Sequence, residues 1–182
     1  MNILLHICCG NCAIYPVEQL REQNHQLTGY FFNHNIHPYQ EYSRRLETTR
    51  EYASNVNLPL QVDDQYLLEE FLANVAENPA QRCAYCYRSR LTKTAEKAVA
   101  LKIEAFSTTL LYTRYQNQEE IIAFGHELAS EHKLSFIDQD FRPGWNEGIR
   151  ISKEMNLYRQ QYCGCIYSEK DRYQPRKKAK AS

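Results

Sequence analysis

Seven cysteines in three tight groups constrain this chain more than any other feature. They read Cys8-Cys9-Gly10-Asn11-Cys12, Cys83-Ala84-Tyr85-Cys86 and Cys163-Gly164-Cys165, with no cysteine elsewhere. Cysteines serving as small core hydrophobes would scatter through the chain. Grouped sulfurs so far apart in sequence predict a fold that gathers distant segments at one centre. Three chemistries suit such a centre: an iron–sulfur cluster, zinc, or a thiol redox pair.

The hydrophobic pattern says how the gathering is done. Short apolar or β-compatible runs over 2–7, 26–32, 58–62, 104–108 and 134–137 read as strands. Helical spacing falls at 13–23, 38–54, 65–75, 83–102, 117–132 and 146–155. Strands alternating with helices predict a single α/β domain, a mostly parallel sheet flanked by helices, with the metal site at the C-terminal ends of the strands. The domain is expected over residues 1–170, with a basic tail over 171–182. Cys83 and Cys86 fall in the first turn of a helix on one side of it, where exposed N–H groups favour thiolate. The turn-rich stretch 138–148 reads as an ordered functional loop.

Composition narrows the setting. No apolar run is long enough for a membrane span. The N-terminus lacks a basic stretch ahead of an apolar core, so no signal peptide is expected and a cytoplasmic location with reduced thiols is. Lys and Arg number 22 and Asp and Glu 22, so any nucleic-acid contact must be a local patch. The tail Arg172 to Lys180 reads as a solvated terminus or as a phosphate-contacting arm. No phosphate-binding glycine loop is present.

A structural zinc site needs four ligands, and seven thiols overshoot it. Adjacent Cys8 and Cys9 also suit zinc poorly, because neighbouring side chains on a strand diverge. A [4Fe–4S] cluster takes four thiolates from more directions, leaving three for a second metal or for thiol chemistry. Spacing therefore favours iron–sulfur over zinc, and zinc over a metal-free dithiol, and leaves all three open. Cys163 and Cys165 are close enough for a small, easily reduced disulfide ring, or both ligate metal. His6 reads as packed. His34 and His37 read as a substrate or metal neighbourhood, or as an ordinary helix-entry loop. Asp140 is placed to orient Arg142.

These residues resemble the QueH family of epoxyqueuosine reductases. The resemblance rests on Leu4 to Cys9, Asn35 to Tyr42, Arg82 to Leu91, Phe106 to Leu111, Asp140 to Trp145 and Leu157 to Ser168. The chain departs from the family pattern at Gly10-Asn11, at Asn33-His34 and over Tyr112-Thr113-Arg114-Tyr115-Gln116. The resemblance implies reduction of epoxyqueuosine to queuosine at the wobble position of tRNAs with GUN anticodons. It implies that Cys8, Cys9, Cys83 and Cys86 ligate a [4Fe–4S] cluster, and that Cys163 and Cys165 form a redox-active disulfide. It further implies one additional iron ion, with Cys12 a ligand near it, and an electron donor not yet identified. Tyrosine stacking and Arg44, Arg45, Arg88, Arg90 and the tail are the expected RNA contacts. The rival readings are a zinc-stabilised RNA-binding module and a metal-free thiol oxidoreductase.

Overall fold

A computed structural model of the chain describes residues 1–175. Five strands form one all-parallel sheet in the order β3-β2-β1-β4-β5: β1 Asn2–His6, β2 Gln26–Phe31, β3 Leu60–Val62, β4 Ala105–Thr108 and β5 Ser135–Phe136. β1 is the middle strand, with Leu4 registered against Thr28 on one side and Phe106 on the other. A strand covered on both faces must be apolar throughout. Ile3, Leu4, Leu5 and Ile7 accordingly have no exposed surface.

Among the described residues seven helices flank the sheet: α1 Gly10–Glu22, α2 Tyr39–Asn55, α3 Leu68–Val75, α4 Arg82–Ala100, α5 Gln118–His132, α6 Trp145–Glu154 and α7 Ile166–Tyr173. Right-handed crossovers put α1 and α2, which lead from β1 out to β3, on one face, and α4 and α5, which lead to β4 and β5, on the other. Contacts follow that division: α1 packs on α2 and α6, and α4 on α5, β1 and β4. Strand order therefore reverses direction between β1 and β4. Ligands bind at such a switch point, outside the carboxyl ends of the strands. Cys8 follows β1 there, and Thr109 follows β4.

Several elements differ from the sequence pattern. α1 starts at Gly10 rather than 13, which puts Cys12 inside its first turn. Pro16 then lies in the helix interior and offers no N–H to the Cys12 carbonyl. α3 starts at Leu68 rather than 65, because the Asp63 amide extends the strand pairing to the Phe31 carbonyl. The 138–148 stretch closes with a 3₁₀ turn at Arg142–Gly144 that runs into α6. α7 was not anticipated. Its signal is short: the Cys165 sulfur caps it by accepting from the Ser168 amide, and Glu169 stands in its first turn. Residues 176–182 of the basic tail lie outside the described residues.

Gly10 marks a close approach. A Cβ there would lie 2.7 Å from the Thr48 carbonyl oxygen of α2, a backbone atom that cannot swing aside. Gly10→Ala is therefore expected to destabilise the fold by about 1–3 kcal/mol. Urea unfolding measures this, and an unchanged midpoint would contradict the α1–α2 contact.

Candidate metal centre and active-site cavity

The first cysteine group converges. β1 ends at His6, and the chain then turns into α1, so Cys8 and Cys9 are not consecutive residues of a strand. Their sulfurs lie 3.9 Å apart instead of diverging, which corrects the expectation from adjacency. With Cys12 returning after one turn, all three sulfurs lie within 4.8 Å of one another. Hydrogen bonds from the Cys12 and Cys9 thiols and from the Thr109 hydroxyl hold Cys8 well below the usual thiol range, against its burial. Burial pushes Cys9 up, and hydrogen bonding to Cys8 and Cys9 pushes Cys12 up. The Gln160 amide donates to the Cys9 sulfur at 3.0 Å and the Cys12 sulfur at 3.4 Å. The trio thus concentrates one negative charge on Cys8, with donors aimed at its neighbours.

The second group occupies the first turn of α4, as its spacing indicates. Cys83 is exposed, while Cys86 is buried with Phe71, Val75 and Cys165. The helix N-terminus does not make thiolates of them. Burial raises Cys83 and pushes Cys86 up to about 12, because loss of water outweighs the helix dipole. In the third group Cys163 is exposed and Cys165 buried; all seven cysteines are free thiols. Among the described residues, only Cys8, Cys9 and Cys12 come within joint reach of one ion as a set of three or more. Cys83 and Cys86 do not join them at that range.

A charge links the groups. Arg90, on α4, is fully buried. Burial opposes its charge, yet the sulfurs of Cys86, Cys8 and Cys163 outweigh that and hold its pKa up. One cysteine of each group therefore lies in the field of one guanidinium. Its Nε donates to the Cys86 carbonyl and its Nη1 to Asn33, but Nη2 has no partner.

A second buried arginine fixes the third group. Arg45 of α2 is paired to Glu41 at 2.7 Å and donates to the carbonyls of Tyr162 and Cys163. Tyr158 donates to the other oxygen of Glu41. His37 completes the brace: its amide donates to the Gly164 carbonyl, and its Nδ1 accepts from the Ile166 amide. Gly164 has φ +154°, which side chains rarely adopt, and a Cβ there would press on Asn35 and Arg45. His37 is thus a structural strut. His34 is packed between Phe32, Phe71 and Tyr85, with both ring nitrogens unpartnered, and burial lowers its pKa to about 3. His6 is buried between Thr108 and the Phe32 carbonyl.

The sulfurs open into a cavity of about 720 Å³ whose wall includes Cys8, Cys12 and Cys163. The Gln116 amide reaches into it and donates to the Cys163 sulfur at 3.2 Å. Four arginines, Arg45, Arg90, Arg159 and Arg172, line it, against Asp171 alone among the described acidic residues. The expected phosphate contacts are redistributed. Arg45 and Arg90 are buried and committed to the sulfur groups. Arg88 is paired to Glu127 on the surface, and Arg44 lies over Tyr158. The spacing gave no sign of Gln160, Gln116 or Arg159 as site residues, because each reaches the cavity only through the fold. Asp140 does orient Arg142, through two side-chain bonds of 2.8 Å.

Two outcomes follow from this geometry. Glu41→Gln leaves the Arg45 charge buried without its counterion and is expected to cost about 3–5 kcal/mol in denaturant unfolding. A loss below 1 kcal/mol would mean the pair is not a brace. His34 folds neutral but takes a proton in the unfolded chain near pH 6.5. The stability it contributes is present above that pH and lost as pH falls from 6.5 toward 3. His34→Phe is therefore expected to flatten the decline of Tm between pH 7 and 5. An unaltered slope would contradict the buried neutral ring.

Comparison with known proteins agrees with this architecture. A family model described as Epoxyqueuosine reductase QueH matches residues 3–171. Epoxyqueuosine reductase QueH of Dehalococcoides mccartyi is 35% identical over 172 residues, covering 94% of each chain. That of Streptococcus pyogenes serotype M1 is 34% identical over 99% of this chain and 76% of its own. That of Thermotoga maritima is 31% identical over 92% and 90%. Among solved structures, a predicted tRNA methyltransferase subunit from Methanocaldococcus jannaschii superposes with TM-score 0.58 at 14% identity, covering 85% of this chain and 75% of its own. The U34-tRNA thiolase NcsA of Methanococcus maripaludis, solved with its [4Fe-4S] cluster, superposes with TM-score 0.56 at 12% identity, covering 92% and 60%. These two share the fold. The match of the family model to nearly the whole chain, with the relatives at 31–35% identity, places the chain in the QueH family of epoxyqueuosine reductases.

Proposed function

We propose that this chain reduces epoxyqueuosine to queuosine at the wobble position of tRNA bearing a GUN anticodon. The observation that carries this reading, beside the family, is the arginine-lined cavity whose wall joins sulfurs of the first and third cysteine groups. The reaction consumes two electrons and two protons: both C–O bonds of the epoxide break, a C=C bond forms, and the oxygen leaves as water.

The donor set suits an iron–sulfur centre. Three converging sulfurs, one of them stabilised as thiolate, are soft anionic ligands. The Arg90 Nη2 is buried without a partner among the described residues, in a side chain that lies in the field of the sulfurs, and an anionic sulfur would satisfy it. Cys8, Cys9, Cys83 and Cys86 would hold the cluster, with Cys12 the ligand nearest a further iron. When bound, such a cluster supplies electrons one at a time.

The chain's own residues do the rest. Cys163 and Cys165 as dithiol release two electrons and two protons on closing to a disulfide, which balances the deoxygenation. Gln116 fixes the position of the Cys163 sulfur at the cavity. Arg45 and His37 hold the loop so that Cys163 faces the cavity while Cys165 stays buried. An external donor then reduces the disulfide.

Anaerobically purified protein, given tRNA carrying epoxyqueuosine and a low-potential reductant, is expected to form queuosine by nucleoside mass spectrometry. It should also show iron, sulfide and a broad band near 400 nm. Cys163→Ser is expected to retain the band and lose turnover. Zinc as the only metal, with no visible band and no product, would overturn the reading in favour of a zinc-stabilised RNA-binding module.

A further inference from the structure

The cavity has an edge that the reduction does not use. Between β4 and α5 the chain runs Tyr112-Thr113-Arg114-Tyr115-Gln116. Gln116 turns inward to Cys163, and Tyr112 is buried. Tyr115, between them, turns outward and is 82% exposed, more than any other large hydrophobic side chain among the described residues. An aromatic ring left in water at the rim of a cavity has one face free for a flat partner.

Tyr115 is nonetheless positioned. Its ring meets Trp145 edge-on, with centroids 5.9 Å apart. Trp145 is itself packed on Tyr112 at 5.3 Å and lies under the Arg114 guanidinium at 5.9 Å. Tyr112 donates to the Trp145 carbonyl and ties this loop to the start of α6. Tyr115, Trp145 and Arg159 all line the cavity. Arg114 and Arg159 are exposed and form no ion pair among the described residues, unlike the surface arginines Arg50, Arg88 and Arg150. An exposed aromatic beside unpaired cations, at the entrance to a pocket that takes one base, has the makings of a single-strand clamp.

We propose that Tyr115 is a stacking platform for the anticodon-loop base next to the one that enters the cavity, and that Arg159 contacts the phosphate between them. This rests on the reading of the substrate as tRNA. A base withdrawn from the loop stack exposes a face of its neighbour. Tyr115 covers that face, which stabilises the loop in its opened form. Gln116 follows directly in the chain, so the stacked neighbour and the Cys163 sulfur are referred to one short rigid segment.

The test measures binding of the holoenzyme to a fluorescently labelled anticodon stem–loop with a GUN sequence, and the quenching of 2-aminopurine placed on either side of the wobble base. Tyr115→Ala is expected to weaken binding about tenfold and abolish the quenching, while Tyr115→Phe stays within about twofold of wild type. Tyr39→Ala, an exposed tyrosine outside the cavity, is expected to bind like wild type. Arg159→Gln is expected to lower the slope of log affinity against log salt by about 0.7. If Tyr115→Ala binds and quenches as wild type does, the platform is overturned and the reductase reading stands. If Tyr115→Phe fails as badly as Tyr115→Ala, the hydroxyl and not the ring face is responsible, which also overturns it. Absence of any binding by wild type would overturn both.

Discussion

Arg90 is the constraint on which the rest of the site depends. A buried guanidinium with an unsatisfied nitrogen is costly, because an isolated buried charge loses its hydration with nothing in return. Among the described residues no carboxylate pairs with it. Its neighbours are Asn33, the Cys86 carbonyl and the field of three sulfurs. The protein therefore keeps a fixed positive charge that only anionic sulfur can balance. Cysteines from three distant segments share the field of a cation that α4 has carried into the core, and Cys8, held well below the usual thiol range, supplies the negative charge. Burial first, and the same charge second, oppose protonation of His6 and His34, so these rings fold neutral.

The two halves of the sheet divide the work around that charge. The β1–β4 switch point supplies the Cys8 trio and the Thr109 hydroxyl that clasps Cys8. The α2 side supplies Arg45, Glu41 and His37, which have no ligand role and hold the third group by its backbone. Arg45 binds carbonyls of Tyr162 and Cys163 and not sulfurs, so the loop is held by its main chain, while the Gln116 amide is the donor to the Cys163 sulfur. A thiol that must change oxidation state needs a fixed position, and here the backbone brace and the Gln116 amide supply it.

The α/β class, the parallel sheet and the location of the first cysteines were legible because apolar runs and helical spacing alternate along the whole chain. The convergence of Cys8 and Cys9 was not. It depends on α1 starting at Gly10 rather than 13, which turns the chain directly after Cys9 and brings Cys12 back within one turn, and Gly10 there lies against the Thr48 carbonyl of α2. The helix-dipole argument for thiolate at Cys83 and Cys86 failed for a related reason. Burial of Cys86 against Phe71 and Val75 is a long-range fact, and it outweighs a local electrostatic preference. Gln116 and Gln160 were illegible altogether, since a glutamine acquires meaning only from the sulfur it is brought to.

Charge distribution was misread for the same cause, and the correction sharpens how a neutral chain handles a polyanion. Arg45 and Arg90 looked like phosphate contacts in sequence but are structural, one bracing a loop and one neutralising sulfur. Arg114 and Arg159 form no ion pair among the described residues, and both stand beside the aromatic rim of the cavity. A basic body would attract RNA of any kind by counterion release. Few cations placed where an aromatic ring is also exposed attract it weakly and reward only a chain with a base already splayed out. On this account selectivity for an opened loop arises from economy of charge: the arginines that could have made the surface sticky are spent inside, holding the sulfurs.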